Sequence, residues 1–268
     1  MENNIVIGIG GQKHSGKDTF ASMLLYIHYV GPAAANYNYW YECFMQPSFS
    51  SRKMTTHFAD SLKDSCSILF HIDRRLFDDI SYKDDKYYSF RDNKFLDEKE
   101  INVDQQRLAP TDLLDFNNFA NKIANNPDAP LIKIRNLMTT FADTMKHVFG
   151  EDVFVNSTIR NINEIIKSFH FCVVPDVRFN NESLALHQSD DSWQGYVVKI
   201  IRPDIKQTEN LHNSEVCDFD CDYTVINDGS LFNLFYKAIE VYNKALNETT
   251  KRNEIKNTMY KLKKYGDC

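Results

Sequence analysis

The stretch that most narrows what this chain can fold into is "GIGGQKHSGKDTF", residues 8 to 20. Gly11, Gly16 and Lys17 keep the spacing G-x-x-x-x-G-K, with the apolar run "NIVIGI" before them and "KDTFASMLLYIHYV" after. The first run reads as a buried strand, and the second places Phe20, Met23, Leu24 and Ile27 on one face of a helix. A strand that ends in a glycine-rich turn and restarts as a helix aims backbone amides and the positive helix end at one point, which suits a phosphate group. This is the Walker A pattern. It casts Lys17 as a point charge on the outer phosphates of a nucleoside triphosphate and the amides of residues 12 to 17, from Gln12 through His14, Ser15 and Gly16 to Lys17, as the cradle. Asp18 departs from it, because a Ser or Thr usually follows the lysine and helps to hold magnesium. A carboxylate there would act through Mg2+ or a metal-bound water, and Thr19, about 100° further round the helix, could share the task. A plain acidic residue favouring the helix N-terminus is the other reading of Asp18.

Strands and helical patterns alternate along the remainder. "KMTTHFA" reads as a second short strand, and "DSLKDSCSILF" as a helix with Leu62, Cys66 and Leu69 inward and Asp60 as its N-cap. Residues 31 to 53 lack a period and are expected to be a surface excursion. Tyr82 to Asp104 has the charge density of a solvated loop or exposed helix. Helical patterns follow at 111–125, 136–149 and 152–168, then the strand "FHFCVV", a helix over "RFNNESLALHQ", the strands "GYVVKIIR" and "DYTVIN", and a helix from Leu231 to about Asn247. The alternation predicts an α/β fold with a parallel sheet and helices on both faces. The last twenty residues are basic and predict an exposed helix or frayed tail.

Composition removes several classes of function. With 268 residues and 43% hydrophobic side chains the chain can bury a real core, and its net charge of −6 argues against a nucleic-acid-wrapping surface. No apolar run approaches the ~20 residues of a membrane span. Six cysteines with no secretory leader ahead of them predict reduced thiols and a cytoplasmic protein. His212, Cys217 and Cys221 have a spacing atypical of zinc sites.

Asp176 follows an apolar strand directly, at the carboxyl edge where α/β sheets place their ligands, and fits an acidic residue that holds magnesium through water. Arg178, two residues on, could reach a phosphate or pair with Asp176. Moving a phosphoryl group between two anions needs further cations, for which Lys63, Lys83, Arg135 and Arg202 are candidates.

"GGQKHSGKDTF", "HFADSLKD", "FADTMKHVFGEDVFVN", "VVPDVRFNNES", "HNSE" and "DYTVINDGSLFNL" occur in the order seen in bacteriophage-type deoxynucleoside monophosphate kinases, which the chain resembles from about residue 4 to 245. The resemblance implies a P-loop fold of the adenylate-kinase-like type. Its kinase domain would span residues 1–247, with the insertion at 31–53, a helical substrate-binding region at 59–168 and a lid at 203–222; a basic tail at 248–268 follows. It implies transfer of a phosphoryl group from ATP, with Mg2+, to a deoxynucleoside monophosphate, for viral or phage nucleotide supply in a host cytoplasm. By the same resemblance Lys17 is the loop lysine, Asp176, Arg178, Asn181 and Glu182 form the second motif, and Arg202, His212, Ser214 and Glu215 lie in the lid. Asn227 and Gly229 then stand where the last turn passes the adenine. "FADT" departs from the usual phenylalanine-glycine-threonine-acid. Lys146 stands where an arginine is common, and lysine lacks that residue's bidentate fork. A phosphomevalonate kinase-like enzyme and a non-catalytic P-loop binding protein are the rival readings, and a homodimer is compatible with either.

Overall fold

The computed structural model describes residues 3–44, 51–90, 92–101, 131–188, 192–204 and 219–265. The expected helix at 111–125 and the segment bearing His212, Ser214, Glu215 and Cys217 lie outside them. The described elements are, in chain order, β1 (Ile5–Gly11), α1 (Lys17–Val30), α2 (Asp60–Phe70), β2 (Tyr87–Ser89), β3 (Lys94–Leu96), β4 (Leu131–Lys133), α3 (Ile134–Phe149), α4 (Val153–Phe169), β5 (Phe171–Val177), α5 (Asn180–His187), β6 (Gln194–Ile201), β7 (Tyr223–Ile226) and α6 (Leu231–Tyr265). They form two compact units, one of residues 1–58 and 157–268 and one of residues 59–156.

In the first unit four parallel strands stand in the order β5-β1-β6-β7. The strand expected over "KMTTHFA" is reduced to one parallel bridge between Thr55 and Val173. Alternate residues of β1 face opposite sides of the sheet. Ile5, Ile7 and Ile9 join Phe20, Met23, Leu24 and Ile27 of α1 and Leu234, Phe235 and Ala238 of α6 in one core. On the other side α5 lies against β1 and β6, with Leu186 wholly buried. An α/β unit with helices on both faces of a parallel sheet is therefore in place. Among the described residues no helix is long and apolar enough to cross a membrane.

Two expectations change in this unit. The stretch after Gly31 is no surface excursion throughout, because Trp40 is wholly buried, with its ring centroid 5.9 Å from that of Phe235. Helical turns over Tyr37–Tyr39 and Trp40–Phe44 turn that side chain inward. The last helix runs on past Asn247 to Tyr265. Thr249 is buried on it and its hydroxyl meets the Tyr196 hydroxyl at 3.0 Å, so the helix meets the sheet as far as its middle, and most of residues 251–258 are exposed, as expected of the tail.

The second unit combines α2 and α3 with an antiparallel sheet of order β3-β2-β4. Leu62, Cys66, Phe77, Tyr88, Ile132 and Leu137 fill its core. The hairpin β2–β3 replaces the solvated loop or helix expected there; three-residue strands are too short for an alternating pattern to emerge. Leu69 is exposed rather than inward, because Phe70, four residues after Cys66, takes the next core-facing position. Asp60 is the first residue of α2 rather than its cap. Ala59 precedes it without a side-chain cap, and the Asp60 carboxylate accepts from Arg74 at 3.0 Å.

Candidate functional site

The site lies at the carboxyl end of β1. After Gly11 the chain turns tightly, with the Ser15 N–H bonded to the Gln12 carbonyl at 3.1 Å, and re-emerges as α1 at Lys17. His14 and Gly16 have left-handed backbones, φ 66° and 95°. That conformation opposes a side chain at Gly16, and a Cβ there would also sit 2.6 Å from Asn227 Nδ2. At Gly11 the limit is space, since a Cβ would lie 2.6 Å from both the Ile200 carbonyl and Ser15 Oγ.

Two side chains give this turn chemical character. Ser15 is wholly buried, and its hydroxyl has no hydrogen-bond partner among the described residues. The Lys17 side chain is only 16% exposed, and the ammonium's one ion pair among the described residues is to Asp18 at 4.0 Å, too long to satisfy it. The first N–H groups of α1 have no intrahelical acceptors and add positive potential at the same end. A donor-rich turn of this kind suits an anion. Asp18 is exposed, whereas Thr19 is half-buried.

The end of β5 contributes carboxylates. Asp176 is half-buried, and its Oδ1 accepts the Phe58 N–H at 3.0 Å. Glu182 is 7% exposed and accepts the N–H groups of Arg178 at 2.7 Å and Phe179 at 3.1 Å. Burial, helped by the charge of Asp176, pushes its carboxyl up to about 7 despite those two bonds. Arg178 is exposed and Asn181 half-buried at the same edge; Arg202 is exposed just beyond β6. In the turn from β7 to α6, Gly229 is exposed, and Asn227 is half-buried with its amide on the Ser15 carbonyl at 2.8 Å.

Lys63, Lys83, Arg135 and Lys146 belong to the second unit. Lys63 bonds Asp78 at 2.7 Å, and Arg135 clamps Asp84 with bonds of 2.5 and 2.9 Å. Lys146 is 4.0 Å from Glu151, and Lys83 is half-buried. Among the described residues no group of three or more His, Cys, Asp or Glu side chains is placed to hold a metal.

Three further residues that no motif marks stand at this edge. Phe219 is buried and its ring fills the space beside Gly10 that a Cβ would need. Lys199, paired in register with Gly10, holds its ammonium 5.4 Å from the centre of that ring. A lone lysine inside "VVKII" was the available signal. Ser183 donates to the Asp220 carbonyl at 2.5 Å and pins the same returning segment to α5; nothing in the sequence marked it.

No protein-family model matches this chain, and no curated protein matches it.

Proposed function

We propose that the chain is a P-loop phosphotransferase that moves the terminal phosphoryl group of ATP, with Mg2+, onto a deoxynucleoside monophosphate. The observation that carries this reading is the turn from Gly11 to Lys17, with its left-handed Gly16, its buried Ser15 hydroxyl that has no partner among the described residues, and a mostly buried Lys17. Isolated buried donors are costly, and an anion bound in the turn would supply acceptors for all of them.

On this reading the loop amides and the Ser15 hydroxyl hold the ATP phosphates, and Lys17 neutralises charge on the transferring group. The acceptor phosphate oxygen forms a bond to the terminal phosphorus as the bond to the departing ADP oxygen breaks. A phosphate monoester has its second pKa near 6, so that oxygen is already largely deprotonated at neutral pH and no side chain must act as base. Bound Mg2+ would supply positive charge that offsets the charge of the phosphates. Asp176, and Asp18 or Thr19, are the residues that would hold it directly or through water. By the family resemblance Arg178 and Arg202 would meet the transferring group, and the segment with His212 and Glu215 would serve as lid.

The deoxynucleotide acceptor rests on "DVRFNNE" and "HNSE". Incubation with ATP, Mg2+ and each of the four deoxynucleoside monophosphates, followed by product analysis, tests it. Formation of a deoxynucleoside diphosphate and ADP is expected. Transfer to phosphomevalonate alone would move the assignment to the other kinase class, and no transfer to any acceptor would leave a binding protein.

A further inference from the structure

Asn227 directly follows β7, far from the loop in sequence, yet it is bonded in two directions. Its backbone N–H donates to the Ile201 carbonyl at 2.7 Å, fixing it to the sheet, and its side-chain amide donates to the Ser15 carbonyl at 2.8 Å. We infer that Asn227 is a positioning residue for the phosphate loop, which holds the Ser15–Gly16 peptide in the orientation an anion needs. The inference rests on the phosphotransferase reading above and goes beyond it, since the family resemblance associates this turn with the base of the nucleotide.

The reason lies in peptide geometry. In a trans peptide the C=O and the following N–H point in opposite directions. Holding the Ser15 carbonyl on Asn227 therefore turns the Gly16 N–H away from β7, towards the opposite side of the loop. Were this peptide to flip, a carbonyl oxygen would replace that donor and repel a phosphate. Gly16 fits the same plan. Its left-handed φ of 95° is needed to take the chain from that peptide into α1, and the missing Cβ is what lets the Asn227 amide approach. The group must carry a proton, because a carboxylate in its place would face the Ser15 carbonyl with none to offer.

The test separates loop positioning from base contact by using two probes, ATP and inorganic tripolyphosphate, the second of which has no base. Both are titrated into the wild-type chain, Asn227→Ala and the near-isosteric Asn227→Asp, with circular dichroism to verify folding. Loss of one net hydrogen bond corresponds to about 2- to 10-fold weaker binding. Asn227→Ala is expected to weaken both probes by that factor alike, and Asn227→Asp to weaken both further. Weaker ATP binding with unchanged tripolyphosphate binding would make Asn227 a base contact and overturn the inference, as would unchanged binding of both. Should Asn227→Ala fail to fold, the Asn227→Asp pair of titrations decides alone. A wild-type chain that binds neither probe would instead overturn the phosphate-site reading itself.

Discussion

Glu182 offers a test in which opposing effects can be weighed. Two backbone N–H groups donate to one carboxylate oxygen, which alone would favour the charged form, yet burial and the neighbouring Asp176 prevail and raise the carboxyl from 4.5 to about 7. The sign for stability follows. Below 4.5 both folded and unfolded chains hold the proton; between 4.5 and about 7 the unfolded chain has released it while the folded chain still binds it. Stability therefore falls as pH rises through that window, and above it the cost is about 3 kcal/mol, at roughly 1.4 kcal/mol per pKa unit. Glu182→Gln keeps an acceptor oxygen and cannot ionise. Urea denaturation of both chains at pH 4.5 and pH 8 should show the wild type losing about 3 kcal/mol more than the variant across that interval. Asp176→Asn, which removes the second cause, should reduce the wild-type loss in part. Equal pH dependence in wild type and Glu182→Gln would refute the reasoning.

Gly16→Ala should lower stability by about 1–2 kcal/mol for the left-handed backbone and about 1 more as the Cβ displaces the Asn227 amide; a urea midpoint within error of wild type would contradict this. Trp40→Ala removes a wholly buried aromatic ring and should cost about 3–5 kcal/mol by the same assay, whereas a surface residue would cost about 0.5 or less. Asp176→Asn should raise the magnesium concentration that gives half-maximal transfer, and an unchanged magnesium dependence would assign Asp176 to structural contacts such as the Phe58 amide.

Long apolar elements were legible because their pattern is physical. β1 and the first four residues of β5 are apolar runs buried on both faces, β6 is one interrupted by Lys199, and α1 repeats Phe20, Met23, Leu24 and Ile27 at helical spacing. The loop was legible for a similar reason: Gly11 and Gly16 stand where a Cβ would collide, so their spacing mirrors the geometry. What the sequence concealed depends on contacts across long separations. Trp40 is buried through Phe235, almost two hundred residues away, and no local period announces it. The sequence places Asn227 only through the family resemblance, beside the adenine, and carries no sign of the Ser15 carbonyl that its amide meets. Lys63 and Arg135 looked like free cations for a phosphate, because single residues carry no sign of the aspartates that meet them.

The central claim is that the turn from Gly11 to Lys17 holds the phosphates of ATP for transfer. Its most direct measurement is the rate at which terminal phosphate labelled in ATP appears in a deoxynucleoside diphosphate, for wild type and a folded Lys17→Ala chain side by side. Removing one charge that stabilises the transferring group costs about 10²–10³ in turnover or more, so the account predicts transfer by the wild type and a loss of at least that size in the variant; equal transfer rates in the two chains would contradict it.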